Sequence, residues 1–395
     1  MNKLVSNEEH PPRNGRFGTP KASEMVMVGA FPPPVHGMAV VNAAVRELFE
    51  RAGVEVLVLD VAARSQDRSL LARLGRLPRV LRRLGYLVAA RQAPGCKLYM
   101  SISGGPGQAY EIAFLLAARL RRMPVYLHHH AYSYLDRRRR LTAFLSAIAG
   151  SSATHITLSP GMAASLQQNY PRARRAIPVS NALHLPSQQA SAQRTRDRLK
   201  TLGFLGNISA EKGVFDFIEL VAAVEAAGLQ VQALLAGPFQ DTETERRVIQ
   251  QLAGLSRIEY QGPKYGEEKE SFFASIDVLV FPTRYANEAE PMTIHEAMCR
   301  GIPVIAYSRG CISEIVGWES GRLIDPAEPF VPSAMAQIVD WDTSPGLFEA
   351  TGRAASQRYR ETYASSAARW QDLLHEMTGT GKYHVAGSIS TRSEV

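Results

Sequence analysis

The sequence predicts an α/β protein of two doubly wound, Rossmann-like domains that face each other across a cleft. Three observations lead there. Short apolar runs, MVMVGAF (25–31), VEVLVLD (54–60), CKLYMSIS (96–103) and PVYLHHH (124–130), alternate with helical stretches, as in a parallel sheet covered by helices. The same alternation restarts at TLGFLGN (201–207). A length of 395 residues with 45% hydrophobic content suits two domains, each with its own core.

Residues 1–21 are polar and rich in Pro and Gly, which predicts a disordered tail rather than a signal peptide or anchor. The first domain is expected over 22–185. Its first strand is followed by the loop PPPVHGM and the amphipathic run VVNAAVRELFERAG, a β-loop-α unit. Gly37 stands where backbone can approach a ligand and where a helix N-terminus suits phosphate, although a tight turn alone also calls for glycine. The loop is not G-x-G-x-x-G, so Asp60 at the end of the second strand is weak support for a dinucleotide site. THITLS (154–159) adds a strand, and the domain closes near PVSNALH (178–184), which carries Asn181.

A polar linker is expected over 186–200 and a second domain over 201–355, with strands at VQALLAGP (231–238), IEYQGPK (258–264), IDVLVFPT (276–283) and PVIAY (303–307). The tract from Leu347 to Met377 is helical, and its last part, 356–378, is expected to cross back onto the first domain. A second disordered tail is expected over 379–395.

Within the second domain, FPTRYANEAEPMTIHE (281–296) carries most of the functional information. A buried strand closed by Pro282 leads into a loop and then a short helical pattern stopped by Gly301 and Pro303. Glu288 and Glu296 stand eight apart across that loop. In open α/β sheets ligands bind beyond the carboxyl ends of strands, which puts Glu288 at the crevice and Glu296 on the helix above it. A solvated acidic loop capping a helix would give the same pattern.

This layout resembles the E-x7-E signature of retaining GT-B glycosyltransferases of family 4. Pro291, the EAM and G-x-P-V-I runs, and Gly310 with Glu314 match the surround. The resemblance implies that Glu288 contacts the donor sugar and Glu296 holds the ribose of a sugar nucleotide. Pro291, Met292 and Thr293 then lie beside the donor. In FLGNISAEKG, Lys212 and Gly213 match the Lys-Gly that opens a helix at the donor pyrophosphate, while Asn207 stands where Arg is usual. An amide still donates hydrogen bonds to phosphate but brings no charge. Lys212 also reads as an ordinary lysine at a helix start. His130, followed by Ala131, is the best match to the family's strand-end histidine near the reacting carbon. His128 shares its face, because alternation sends His129 to the other side. A buried, hydrogen-bonded histidine is the simpler reading of either.

These residues imply a transferase that moves a sugar from a nucleotide-diphosphate donor to a hydroxyl acceptor without a metal or other cofactor. Asp340 and Asp342 form the only Asp-x-Asp pair, but beyond the strands of the second domain, as in a loop or helix cap. A GT-B epimerase acting on a sugar nucleotide, or a noncatalytic nucleotide-sugar-binding subunit, are the alternatives.

Charge adds a hint about the acceptor. Residues 1–200 hold 29 Lys and Arg against 11 Asp and Glu; residues 201–395 hold 16 against 26. In 64–91, Leu70, Leu74, Leu77, Leu81, Leu84 and Val88 keep a three-four spacing among Arg68, Arg73, Arg76, Arg79, Arg82 and Arg83, with Pro78 expected to split the run into two helices. Arg137–Arg140 form a second basic cluster. Such segments lie on anionic bilayers, although the leucines equally suit core packing. The expectation is a cytoplasmic enzyme, peripheral on the inner face of the membrane, acting on a glycan or lipid-linked acceptor of polysaccharide or lipopolysaccharide synthesis. No nucleic-acid-binding module is present. Cys96, Cys299 and Cys311 lack ligand spacing and read as reduced thiols.

Overall fold

The computed structural model describes residues 23–33, 37–62, 75, 77–89, 92–185 and 198–379. The expected tails, most of the linker and the basic stretch 64–74 with Arg76 lie outside the described residues. The first sheet contains β1 (Ser23–Gly29), β2 (Val56–Asp60), β3 (Gln92–Ile102), β4 (Val125–His129), β5 (Thr154–Thr157) and β6 (Arg175–Pro178), in the order β2-β1-β3-β4-β5-β6. The second contains β7 (Thr201–Leu205), β8 (Gln232–Ala236), β9 (Ile258–Tyr260), β10 (Val278–Phe281), β11 (Val304–Tyr307) and β12 (Gly321–Ile324), in the order β12-β11-β10-β7-β8-β9. Every named pairing is parallel. Strand order therefore reverses between β1 and β3 in one sheet and between β7 and β10 in the other. Those reversals are where open parallel sheets leave a crevice.

Helix Gly37–Arg51 covers one face of the first sheet, and helices Leu77–Ala89, Gln108–Leu120 and Arg140–Ala149 pack side by side on the other. The helix expected before Pro78 lies outside the described residues. Pro78 itself sits in the first turn of Leu77–Ala89, where its missing N–H costs nothing. The leucine spacing divides there: Val80 and Leu87 are buried, whereas Leu81 and Val88 are each 56% exposed.

The last helix is one continuous element, Pro345–Thr378. Phe348 packs in the core of the second domain, while Trp370, Leu373, Leu374 and Met377 join a cluster with Val41, Phe49 and Tyr99 of the first. Trp370 and Phe49 ring centres lie 5.8 Å apart. Beyond it, the Glu376 carboxylate accepts from Arg175 at 2.7 Å and from the Tyr126 hydroxyl at 3.2 Å. Cys96, Cys299 and Cys311 are buried and free. Among the described residues no helix is long and apolar enough to cross a membrane.

Candidate active site

The loops leaving β7 and β10 meet at the reversal of the second sheet. After β7, Asn207 is exposed, and Ser209 starts a single 3-10 turn, Ala210–Lys212, by accepting the Lys212 N–H at 3.3 Å. Gly213 follows with φ of 82°, and a Cβ there would lie 2.1 Å from the Pro282 carbonyl oxygen. Only glycine permits this approach. It brings the Lys212 Nζ to 2.5 Å from Glu288 Oε2, over the rings of Phe281 (5.7 Å) and Tyr285 (5.1 Å). Thr283 Oγ1 donates to the same carboxylate oxygen at 3.1 Å, and the Glu288 side chain is only 9% exposed. A cation and a carboxylate thus share a water-poor corner, where charges are screened far less than in bulk water.

Pro291 precedes helix Met292–Met298 at the N-cap, so Met292 and Thr293 open it. Glu296 sits one turn on, with Oε1 2.5 Å from Lys269 Nζ of helix Gly266–Ser275; its Oε2 is buried and has no partner. Of the other acids singled out in the sequence, Asp60 holds the loop after β2 by accepting from Phe31 and Ala62 N–H at 3.2 and 2.9 Å. Asp340 and Asp342 lie exposed on helix Phe330–Thr343. Among the described residues no three His, Cys, Asp or Glu are placed to hold a metal ion.

On the first-domain side, Gly37 is the exposed first residue of its helix. The strand alternation holds for the histidines. His128 and His130 share a face with ring centres 4.0 Å apart, and the Tyr99 hydroxyl bonds His128 Nδ1. His129 points the other way, to the Tyr134 hydroxyl at 2.8 Å and His155 Nδ1 at 2.9 Å. Burial pushes His128 and His129 well below the usual imidazole range, with neighbouring histidines adding to it. It pulls His155 and His184 down to about 4, the latter with help from His295.

The two sides touch. The Ser133 hydroxyl is hydrogen-bonded to Asn287 Oδ1 at 2.6 Å, and a Cβ on Gly104 would fall 2.0 Å from that oxygen and 2.7 Å from the Ala131 Cβ. The neighbours of Glu288 and His130 therefore pack against one glycine. Arg309 forms a bidentate pair with Asp136 at 2.7 and 2.6 Å, and Glu314 accepts from Ser159 Oγ at 2.5 Å and Gly161 N–H at 2.9 Å. Sequence reasoning did not single out Thr283, Asn287, Lys269, Glu290, His295 or Arg309. Only the unusual density of polar residues in 283–296 pointed to more than two working side chains.

Residues 187–336 match the family described as glycosyl transferases group 1. That match spans most of the second domain, including Lys212, Glu288 and Glu296. Curated relatives include the D-inositol 3-phosphate glycosyltransferase of Corynebacterium glutamicum, 24% identical over 218 residues, covering 51% of this chain and 52% of that protein. Another is the lipopolysaccharide core biosynthesis mannosyltransferase LpsB of Rhizobium meliloti, 27% identical over 184 residues, covering 45% and 51%. The chain spans about half the length of the curated relatives it matches. The whole two-domain arrangement is similar to solved structures. Sucrose-phosphate synthase from Thermosynechococcus elongatus superposes with a TM-score of 0.66 at 18% identity, over 91% of this chain and 100% of that one. Anabaena HepE, solved in complex with UDP, gives 0.63 at 19%, over 89% and 100%. The two-domain fold is therefore of the GT-B type.

The buried histidines set a pH limit on this scaffold. Their folded pKa values are depressed, so the stability they contribute is complete above the unfolded value of about 6.5 and is lost as pH falls through it toward about 4. The melting temperature should be level from pH 8 to 7 and drop between 6.5 and 5, measured by thermal unfolding in buffers of equal ionic strength. A flat curve down to pH 5 would contradict neutral burial.

Proposed function

We propose that the chain is a retaining glycosyltransferase of the family 4 type, moving a sugar from a nucleotide-diphosphate donor to a hydroxyl acceptor. The observation that carries this is the Lys212–Glu288 pair at the strand-order reversal. Breaking the anomeric carbon–oxygen bond leaves negative charge on the departing diphosphate, and preorganised cations and donors that meet this charge lower the barrier. Lys212 supplies the charge. Asn207 and the Met292 and Thr293 amides supply donors, with Gly37 letting backbone approach from the other side. Glu288 orients the sugar hydroxyls, and His130 faces the sugar from the first domain. Glu296, held by Lys269, offers its unpartnered oxygen to the ribose. The departing phosphate accepts the proton of the acceptor on the same face, so no enzyme nucleophile and no metal is needed.

The acceptor we propose is a lipid-linked glycan of cell-surface polysaccharide or lipopolysaccharide, met at the inner face of the cytoplasmic membrane. The three helices on the outer side of the first sheet support this. They expose Leu81, Val88, Leu116, Leu120, Leu141 and Phe144 among Arg82, Arg119, Arg122, Arg137 and Arg138. Within 77–89, 108–122 and 137–149 the only acid is Glu111, and it is buried. Asp136, just before Arg137, is exposed but paired with Arg309, so apolar side chains with interleaved arginines match an anionic bilayer, where each basic residue contributes about 1 kcal/mol.

Thermal-shift assays with UDP, GDP, ADP and TDP sugars identify the donor, since a bound ligand raises apparent stability. Turnover with acceptor present, and only slow loss without it, is expected; rapid conversion of the donor alone would make this an epimerase. Glu296→Ala should weaken nucleotide binding by about 1.5 to 3 kcal/mol in isothermal titration, and unchanged affinity in a folded variant removes Glu296 from the site. Lys212→Ala should lower kcat by ~100-fold or more. A two- or threefold loss would shift the diphosphate to Asn207 and the backbone amides. In flotation assays the protein should bind anionic vesicles, ignore neutral ones and detach at 1 M salt, where the Debye length is about 3 Å. Arg82→Glu with Arg137→Glu and Arg138→Glu should abolish vesicle binding and leave nucleotide affinity intact. Equal binding to both vesicle types would refute the charged docking face.

A further inference from the structure

Glu290 lies between the two glutamates of the 288–296 segment, yet its side chain turns to Ser180 and Asn181 rather than to either lysine. That side chain is 1% exposed and accepts from two donors, Ser180 Oγ and the Asn181 backbone N–H, each at 2.6 Å. His295 Nε2 lies 3.1 Å from the same carboxylate and 3.3 Å from Ser180 Oγ. The Asn181 amide also donates to the Glu290 carbonyl at 3.0 Å. Ser180 and Asn181 follow β6 at the point where the chain leaves the first domain, and the Ser180 N–H is itself bonded to Ser366 on the crossing helix at 3.1 Å. One buried carboxylate thus joins three things: the segment bearing Glu288 and Glu296, the exit of the first domain, and the helix that returns to it. A carboxylate sequestered from water is retained only with such partners, and removing one leaves a buried group uncompensated.

We propose that Glu290 is a positioning residue, the fixed pivot that sets Glu288 and the donor diphosphate in register with the first-domain face of the cleft. This rests on the transferase reading of that cleft. The pivot does not touch the donor, so its loss misplaces the two halves relative to each other rather than emptying the nucleotide site. Rates of oriented reactions fall steeply with misplacement on the scale of an ångström. His295 is the inner support: its ring, fully buried, holds Glu290 Oε1 from the helix that carries Glu296.

The test compares Glu290→Gln, Glu290→Asp and Ser180→Ala in the full chain. In Glu290→Gln the size is kept but the charge is lost and one end becomes a donor: with its oxygen on the Asn181 N–H, the NH2 makes the Ser180 hydroxyl reverse its role, and both bonds weaken. Its kcat should fall at least 30-fold with nucleoside-diphosphate Kd within threefold, and Glu290→Asp, which keeps all acceptors, should recover part of the loss. Hydrogen exchange at the Asn181 amide, followed by mass spectrometry of the segment 179–185, should speed at least tenfold in Glu290→Gln. That readout needs no turnover, so it stands even if no donor and acceptor pair is found for the wild type, which would instead sink the transferase reading. Should Glu290→Gln not fold, Ser180→Ala decides, with a smaller fall in kcat and the same unchanged Kd. A kcat within threefold of wild type in the folded variants, a Kd that rises in step with the fall in kcat, or unchanged exchange at Asn181 would overturn the pivot.

Discussion

The cleft depends on how closely two backbone segments approach the loop that carries Glu288. On one side Gly213 lies against the Pro282 carbonyl; on the other, Gly310, with φ of 60°, would place a Cβ 2.5 Å from the Glu288 carbonyl oxygen and 2.8 Å from that of Ala289. Both glycines sit at positive φ, where a side chain is strained even before it clashes. The loop is therefore gripped by backbone, and this grip lets Lys212 meet Glu288 across 76 positions of sequence. Parallel sheets supply the frame, because reversing strand order between β7 and β10 sends the covering helices to opposite faces and leaves room for the loops between them.

What grips the loop from the first domain varies in strength along the cleft. At the mouth, Arg309 and Asp136 pair with the Asp136 side chain 39% exposed, and such a pair contributes about 0–1 kcal/mol. Toward the rear, Glu290 and Glu314 are satisfied by donors from the opposite domain, and Trp370 is fully buried against Phe49. Burying an aromatic of that size outweighs an exposed ion pair several-fold.

Much of this was legible in the sequence. Ten of the twelve strands and their order along the chain follow from local patterns: short apolar runs, glycine at sharp turns, and a strand that ends in Pro282; β6, β12 and the meeting of Lys212 with Glu288 do not. The sharing of a face by His128 and His130 follows from strand geometry alone. Other features depend on partners distant in sequence and leave no local mark. Glu290 meets residues 109 and 110 positions away, and Arg309 meets Asp136 at 173. The leucine spacing at 77–88 was equally opaque, since the same stripe serves a core or a surface until the neighbouring helices are in place. Helix Gln108–Leu120 decided it by covering Val80 and Leu87 while leaving Leu81 and Val88 outside.

The uneven charge of the two halves acquires a physical meaning once the site is placed. The second half carries the net negative charge, so on the proposed reading a diphosphate depends on the places where cations are fixed. Lys212 and Lys269 are both held in partly buried ion pairs with the two motif glutamates, at 2.5 Å each. On the proposed reading, each lysine is freed for the diphosphate once its carboxylate turns to a sugar or ribose hydroxyl. The glutamates would then both hold the lysines in position and exchange them for hydroxyl donors. Asn207 is exposed and brings no charge, so the proposed site leans on that exchange.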